Sequence, residues 1–325
     1  MRNPAIRFAL GLVALAGLAP LCGAPAFAQT KVWVSHLGTD GQPCTTSLPC
    51  ATFQHAHDVV AAGGDIGMLD PGDYGAVNIS KPVSITNDGV GEAYIFSTSA
   101  GGAVTISAGL GSVVSLRGLV IDGQGIGGTG IVFLSGSALH VQNCVVRNFE
   151  RTDALGIFFG PTSTTSQLFV SDTLVYNNGS RANSGGIVIE PSNAFGVTAV
   201  LDRVHLENNV IGLTVDGRNS SVGVRVVIRD SVVSGNAGDG ILAVTSPGRA
   251  AAFLVVERTT SVNNAGTGIE ANGPHATILL KENTVIQNAV GIAAVNSGQL
   301  ISYGNNSVNN NVGPDGTPTG SYSPI

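Results

Sequence analysis

The residues best placed to do chemistry in this chain are two acids, Glu190 and Asp216. Each stands three positions after the aliphatic member of a glycine pair, Gly186-Ile187 or Gly212-Leu213. If those pairs open equivalent strands on adjacent turns of a stack, the two carboxyls lie about 4.8 Å apart on one face. Carboxyls that close raise one pKa, as general acid-base work requires, or jointly hold a cation. The competing reading is two solvated strand ends beside Pro191 and Gly217, and it gains weight because the next units offer Val244 and Asn272 at the same offset. A second group is Arg203, His205 and Glu207, which alternate with Val204 and Leu206 and are expected to share an outward face. Such a row could bind a sugar carboxylate or move a proton, and it is also the ordinary make-up of a polar surface.

Metal chemistry finds little support. His55 and His57 stand two apart, the wrong spacing for one helical face, and the acids are mostly scattered singly where calcium needs several converging oxygens. No cofactor is expected. Cys44 and Cys50 bracket the polar loop Thr45 to Pro49, and in an oxidising compartment they would close a local disulfide. Cys144 has no evident partner and reads as a small buried residue, not a nucleophile.

What must position these residues is a repeat. Gly-Ile or Gly-Leu pairs place their aliphatic residue at 131, 157, 187, 213, 241, 269 and 292, at intervals of 23 to 30 residues. One such unit cannot bury its apolar face alone, so the period signals stacked coils. Before each pair runs a strand with aliphatic first and third residues, such as Leu139-His140-Val141 or Val226-Val227-Ile228, then a second short strand such as Val145-Val146 or Val232-Val233. Three short strands joined by two tight turns and one longer loop make one coil of a parallel β-helix. Asparagine recurs at the second turn, and Asn148, Asn178, Asn209, Asn236, Asn264 and Asn288 are expected to stack as a ladder, because asparagine tolerates left-handed backbone and can bond to the coils above and below. Loops of variable length, such as Pro161 to Ser166 and Arg218 to Gly223, should fall at one corner. Forty-five glycines, 5% aromatic and 11% charged residues agree with an all-β chain of tight turns.

The ends read differently. Arg2 and Arg7 precede the apolar run Phe8 to Leu21, and Ala26-Phe27-Ala28 offers a small-x-small cleavage site, so residues 1–28 are expected to be a signal peptide. Residues 29–85 read as an N-terminal cap and first coil, with strand Val32-Trp33-Val34, a helix from Thr52 to Ala62 stopped by Gly63-Gly64, and a strand from Ile66 to Leu69. Residues 86–312 form the β-helix and residues 313–325 an extended tail. No later stretch approaches the roughly 20 apolar residues of a membrane span. A net charge of -6 with no basic cluster excludes a nucleic-acid partner. An exported protein, periplasmic or extracellular and monomeric, is expected.

The repeats over residues 77–311 resemble the right-handed parallel β-helix, or pectin-lyase-like, superfamily. The opening Trp33-Val34-Ser35, Gly38-Thr39-Asp40, Thr52-Phe53-Gln54-His55-Ala56 and Pro71-Gly72-Asp73-Tyr74 is similar to the cap of bacterial exported β-helix proteins. That resemblance implies a single-stranded right-handed solenoid with a short α-helix in its cap. It implies no single activity, since the fold hosts lyases, hydrolases, epimerases and binding proteins. The paired aspartates, Gly-His-Gly and Arg-x-Lys segments of polygalacturonase-like members are absent from the repeats. The expectation is therefore a protein that binds polysaccharide or another envelope component along its side, with Trp33, Phe133, Phe158, Phe159, Tyr176 and Tyr303 as aromatics for sugar stacking. The alternative is a polysaccharide lyase, hydrolase or epimerase using Glu190, Asp216, Arg203 or His205, with calcium if it is a lyase.

Overall fold

In the segment Val224–Arg229, alternation turns Val224, Val226 and Ile228 into the core and leaves Arg225, Val227 and Arg229 outside. Asp230 then adopts a left-handed backbone, φ 51°, and turns the chain into Val232–Ser234. Gly235, φ 65°, makes a second turn into Ile241–Val244. A loop returns the chain to Ala252–Glu257, parallel to the start, with Val226 opposite Leu254. Every strand row thus buries aliphatic side chains, three in Val224–Arg229 and one in Val232–Ser234, that no single coil could cover.

This coil repeats through the computed structural model, which describes residues 29–163, 165–181, 184–192 and 194–323. The expected signal peptide lies outside the described residues. The coils stack into parallel sheets of twelve, ten and nine strands among the described residues. About ten coils at ~4.8 Å each give a rod of roughly 48 Å. The variable loops, including those after Leu155–Phe159, Gly185–Ile189 and Ile211–Asp216, do fall at one corner, between the nine- and twelve-stranded sheets.

The asparagine ladder runs through Asn178, Asn209, Asn236, Asn264 and Asn288, all buried. In each step a backbone N–H donates to the side-chain oxygen one coil on, as from Asn209 to Asn236 at 2.9 Å and from Asn236 to Asn264 at 3.1 Å. The side-chain amide of Asn236 also donates to Leu206 O at 3.2 Å. Asn148 is not a member. It takes the left-handed position, φ 60°, and Phe149 stands at the ladder position, its N–H donating to Asn178. The left-handed residue and the ladder residue are neighbours, as Asn177 and Asn178 or Asn208 and Asn209 show, so one asparagine does not do both jobs. At the far end the ladder runs on through Asn311 and finishes on the Asp315 carboxylate, which accepts from Asn311 at 2.8 Å.

The ends of the rod are blunted, as exposed strand edges require. Strand β1 (Gln29–Val34) leads to helix α1 (Phe53–Val59), which is followed by strand β2 (Val60–Met68). Thr52 caps the helix by accepting from the His55 N–H. The helix is shorter than its sequence suggests. Val60 is buried and extended and pairs with Gln29 of β1, so the sheet draws the chain out of the helix before Gly63-Gly64, which lie inside β2. The Cys44–Cys50 disulfide is formed and buried. At the other end Gly320–Ser321 adds a strand against Gln299–Ser302, and the Pro314 and Asp315 carbonyls accept from Gly291 and Ile292 of the last nine-stranded row.

Candidate functional site

Glu190 and Asp216 come together where the sequence placed them. Ile187 lies opposite Leu213 and Ile189 opposite Val215, which carries the two acids to matching ends of adjacent strands. They line a groove of about 250 Å³ on the outer face of the nine-stranded sheet, with Val188, Thr214, Arg218 and Leu242. The pair is not the solvated one its sequence neighbours favour. Asp216 is 1% exposed, because Gly217 turns the chain so that Arg218 folds back over it. The Arg218 guanidinium donates to both Asp216 oxygens, to Oδ2 at 2.6 Å and to Oδ1 at 3.1 Å, and its backbone N–H donates to Oδ1 at 2.8 Å.

Glu190 keeps a different character. Burial, then the neighbouring Asp216 charge, pushes its pKa up, while Asn219 and Arg218 pull the other way. Asn219 donates to it at 2.6 Å. The site therefore sets a carboxyl whose pKa is raised beside one that is paired with arginine. Further along the same face Glu270, opposite Leu242, is also raised, first by burial and then by Asp239, and it accepts from Asn272 at 3.0 Å.

Between these polar groups runs an apolar row. Val132, Phe158, Val188, Thr214 and Leu242 follow one another across five coils on the outer face. The Phe158 ring lies over Gly160, where a β-carbon would meet it at 2.4 Å, and so it is spread across the sheet. The available signals were partial: Asp216-Gly217-Arg218-Asn219 running out of one strand end, and Phe158-Phe159-Gly160 at another.

Other sequence candidates fall elsewhere. His205 is half-exposed and bonds Glu207 at 2.9 Å on the ten-stranded sheet, a different face of the coil from the groove. Arg203 does not join that row. Its left-handed turn, φ 52°, breaks the alternation and aims it at Asp172, 2.7 Å away, and at Asp202. Arg229 also bonds Asp202, and Arg258 bonds Asp230 and Glu257, so these arginines form a surface lattice between coils. Phe133 and Phe159 are fully buried and stack on each other 4.3 Å apart, which removes both as sugar platforms. Their spacing was a readable signal, since each stands two residues after an inward isoleucine, Ile131 or Ile157. Cys44, Cys50 and His55 form the one metal-like grouping among the described residues, and its two sulfurs are bonded to each other.

Comparison places this architecture among known folds. Residues 221–312 match the family described as right handed beta helix region. The structure resembles pectate lyase Pel9A, with a TM-score of 0.63, 15% identity, and coverage of 84% of this chain and 74% of that one. It also resembles an alginate lyase from Paenibacillus sp. str. FPU-7, with a TM-score of 0.56, 13% identity, and coverage of 90% and 98%. No curated protein matches the chain. The chain is a right-handed parallel β-helix of the pectin-lyase-like fold. At these identities the likeness establishes the fold alone.

Proposed function

We propose that this is an exported protein that binds polysaccharide in the groove on its nine-stranded face. The observation that carries the reading is the apolar row Phe158, Val188 and Leu242 running beside the hydrogen-bonding groups of Glu190, Arg218 and Asn219. A pyranose presents the same two surfaces, a face of C–H bonds and a rim of hydroxyls that both donate and accept. Carboxyls outnumber cations here, with Glu190, Asp216 and Glu270 against Arg218, and the whole chain carries -6. A neutral polymer suits that field better than a polyuronate. The polysaccharide lyases among the fold neighbours support the ligand class, and their substrates are not carried over. Export is supported by the leader-like first 28 residues and by the disulfide.

A second reading, hydrolysis or another polysaccharide-modifying reaction, is favoured by the raised pKa of Glu190 beside Asp216. Calcium enters only if the reaction is a lyase elimination. One set of assays separates the readings. The mature protein is offered neutral and acidic polysaccharides with and without calcium, and bound polymer, new reducing ends and unsaturated products are followed together. Binding without products, weakened at least tenfold by Phe158→Ala, is the expected result. Turnover lost in Glu190→Gln would replace it with the enzymatic reading, and absence of binding across the panel would remove both.

A further inference from the structure

A second cleft lies on a different sheet and near the other end of the rod. It occupies about 390 Å³ on the outer face of the twelve-stranded sheet, over the cap and first coils. One end of it is lined by Trp33, the single tryptophan of the chain. Trp33 lies opposite Gly67, and a β-carbon on Gly67 would meet the indole at 2.7 Å, so the absent side chain is what lets the ring lie across the sheet. The ring is half-buried with one face over Gly67, and the exposed Lys31 ammonium rests over it 4.7 Å from its centre, on a flexible side chain that a stacking group would have to displace.

Charged groups surround the ring. Asp65 of β2 lies opposite Lys31, Asp88 comes from the turn after Val83–Thr86, and Arg117 lies opposite Thr86, three strands beyond Trp33 in the sheet. All four charged side chains are exposed, and none makes an ion pair among the described residues. That sets them apart from Arg147, Arg203, Arg229 and Arg258, each of which is tied to an acid. Two acceptor-only groups and two donor-only groups thus stand around one aromatic face with their hydrogen-bonding capacity unspent.

We infer that this cleft is a second carbohydrate site, which takes one neutral sugar unit with its C–H face on Trp33 and its hydroxyls shared between Asp65 or Asp88 and Arg117. Hydroxyls suit the arrangement because each donates and accepts, so one sugar can satisfy both kinds of group at once. The balance of two cations and two acids gives no preference to a charged polymer. A peptide fits less well, because the cleft is on the face of the sheet and the edge of β1, the terminal strand, is already bonded at Trp33 and Ser35 to Cys44 and Cys50. The inference shares its ligand class with the Glu190 groove but does not depend on that groove.

The single tryptophan makes the site directly readable. Emission of the mature protein is titrated with neutral oligosaccharides, uronate oligosaccharides and an unstructured peptide pool, on the parent chain and on Arg117→Ala, Asp88→Ala and Glu190→Gln. Arg117 and Asp88 are exposed, so their replacement leaves the core intact, and near-ultraviolet circular dichroism verifies this. A saturable emission change with a neutral oligosaccharide, weakened at least tenfold by Arg117→Ala or Asp88→Ala and unmoved by Glu190→Gln, is the expected result. No change with any sugar, a change indifferent to Arg117 and Asp88, or a response to the peptide pool alone would overturn the site. Loss in Glu190→Gln would show that the emission reports the groove instead. Binding in the groove with silent tryptophan would sink this inference while leaving the proposed function standing.

Discussion

Cys144 occupies a position where neighbouring coils carry a hydroxyl. It precedes its strand as Thr173, Ser231 and Thr259 precede theirs, and its N–H donates to the Thr173 hydroxyl at 3.3 Å. Complete burial pushes its thiol up to about 11, which removes the thiolate a nucleophile needs. The native protein should therefore leave Cys144 unmodified by a disulfide-exchange reagent until it unfolds, and Cys144→Ser should stay within about 1 kcal/mol of the parent. Rapid labelling of the folded protein would contradict this. Asp70 gives the acid-sensitive counterpart. Its burial would raise the pKa, but hydrogen bonds from Ser35, the His36 N–H and Tyr74 outweigh it and hold the carboxyl at about 2, against 3.8 for a free side chain. The folded value lies below the unfolded one, so the stabilisation is complete above about pH 4 and is lost as the pH falls towards 2. Asp70→Asn should cost up to about 2 kcal/mol at neutral pH and flatten the loss of stability between about pH 4 and 2 in denaturant titrations.

Among the elements, the asparagine ladder is where coil register is fixed. Replacing Asn236 by Ala removes the acceptor of the Asn209 N–H, which is left buried without a partner, and also the side-chain donors to Leu206 O and to the Asn264 side-chain oxygen. A cost of about 3 kcal/mol is expected in equilibrium unfolding, and a loss under about 0.5 kcal/mol would mean that water replaces the amide. This ladder also marks how far the sequence could be read. Doubled asparagines such as Asn177-Asn178 conceal which member turns left-handed and which is buried, since both positions accept the residue. Only mixed pairs tell them apart, and Gly235-Asn236 and Gln287-Asn288 place the buried asparagine second, which would have excluded Asn148. The helix end was harder, because the burial of Val60 is decided by β1, a partner outside the local pattern. Alternation served well inside strands and failed across the left-handed turns. That is why Arg203 parted from His205, while Glu190 and Asp216, both counted from an inward residue of their own strand, met as expected.

On the scale of the molecule, a rod of stacked coils presents long faces with a repeat of ~4.8 Å, and side chains from separate coils can form a continuous row without any long-range motif in the sequence. Fold was legible because every coil restates it. The groove was only half legible, since Arg218 and Asn219 reach it from a loop whose course depends on the corner at which it turns. The surplus of carboxyls along that face and the net charge of -6 favour, as the proposed ligand, a neutral polysaccharide lying along the coils. A crystal structure with a bound neutral oligosaccharide tests this most directly. Sugar units are expected along Phe158, Val188, Thr214 and Leu242, with hydroxyls bonded to Glu190, Arg218 or Asn219. Sugar bound on another face, with this groove left open at saturating oligosaccharide, would contradict it.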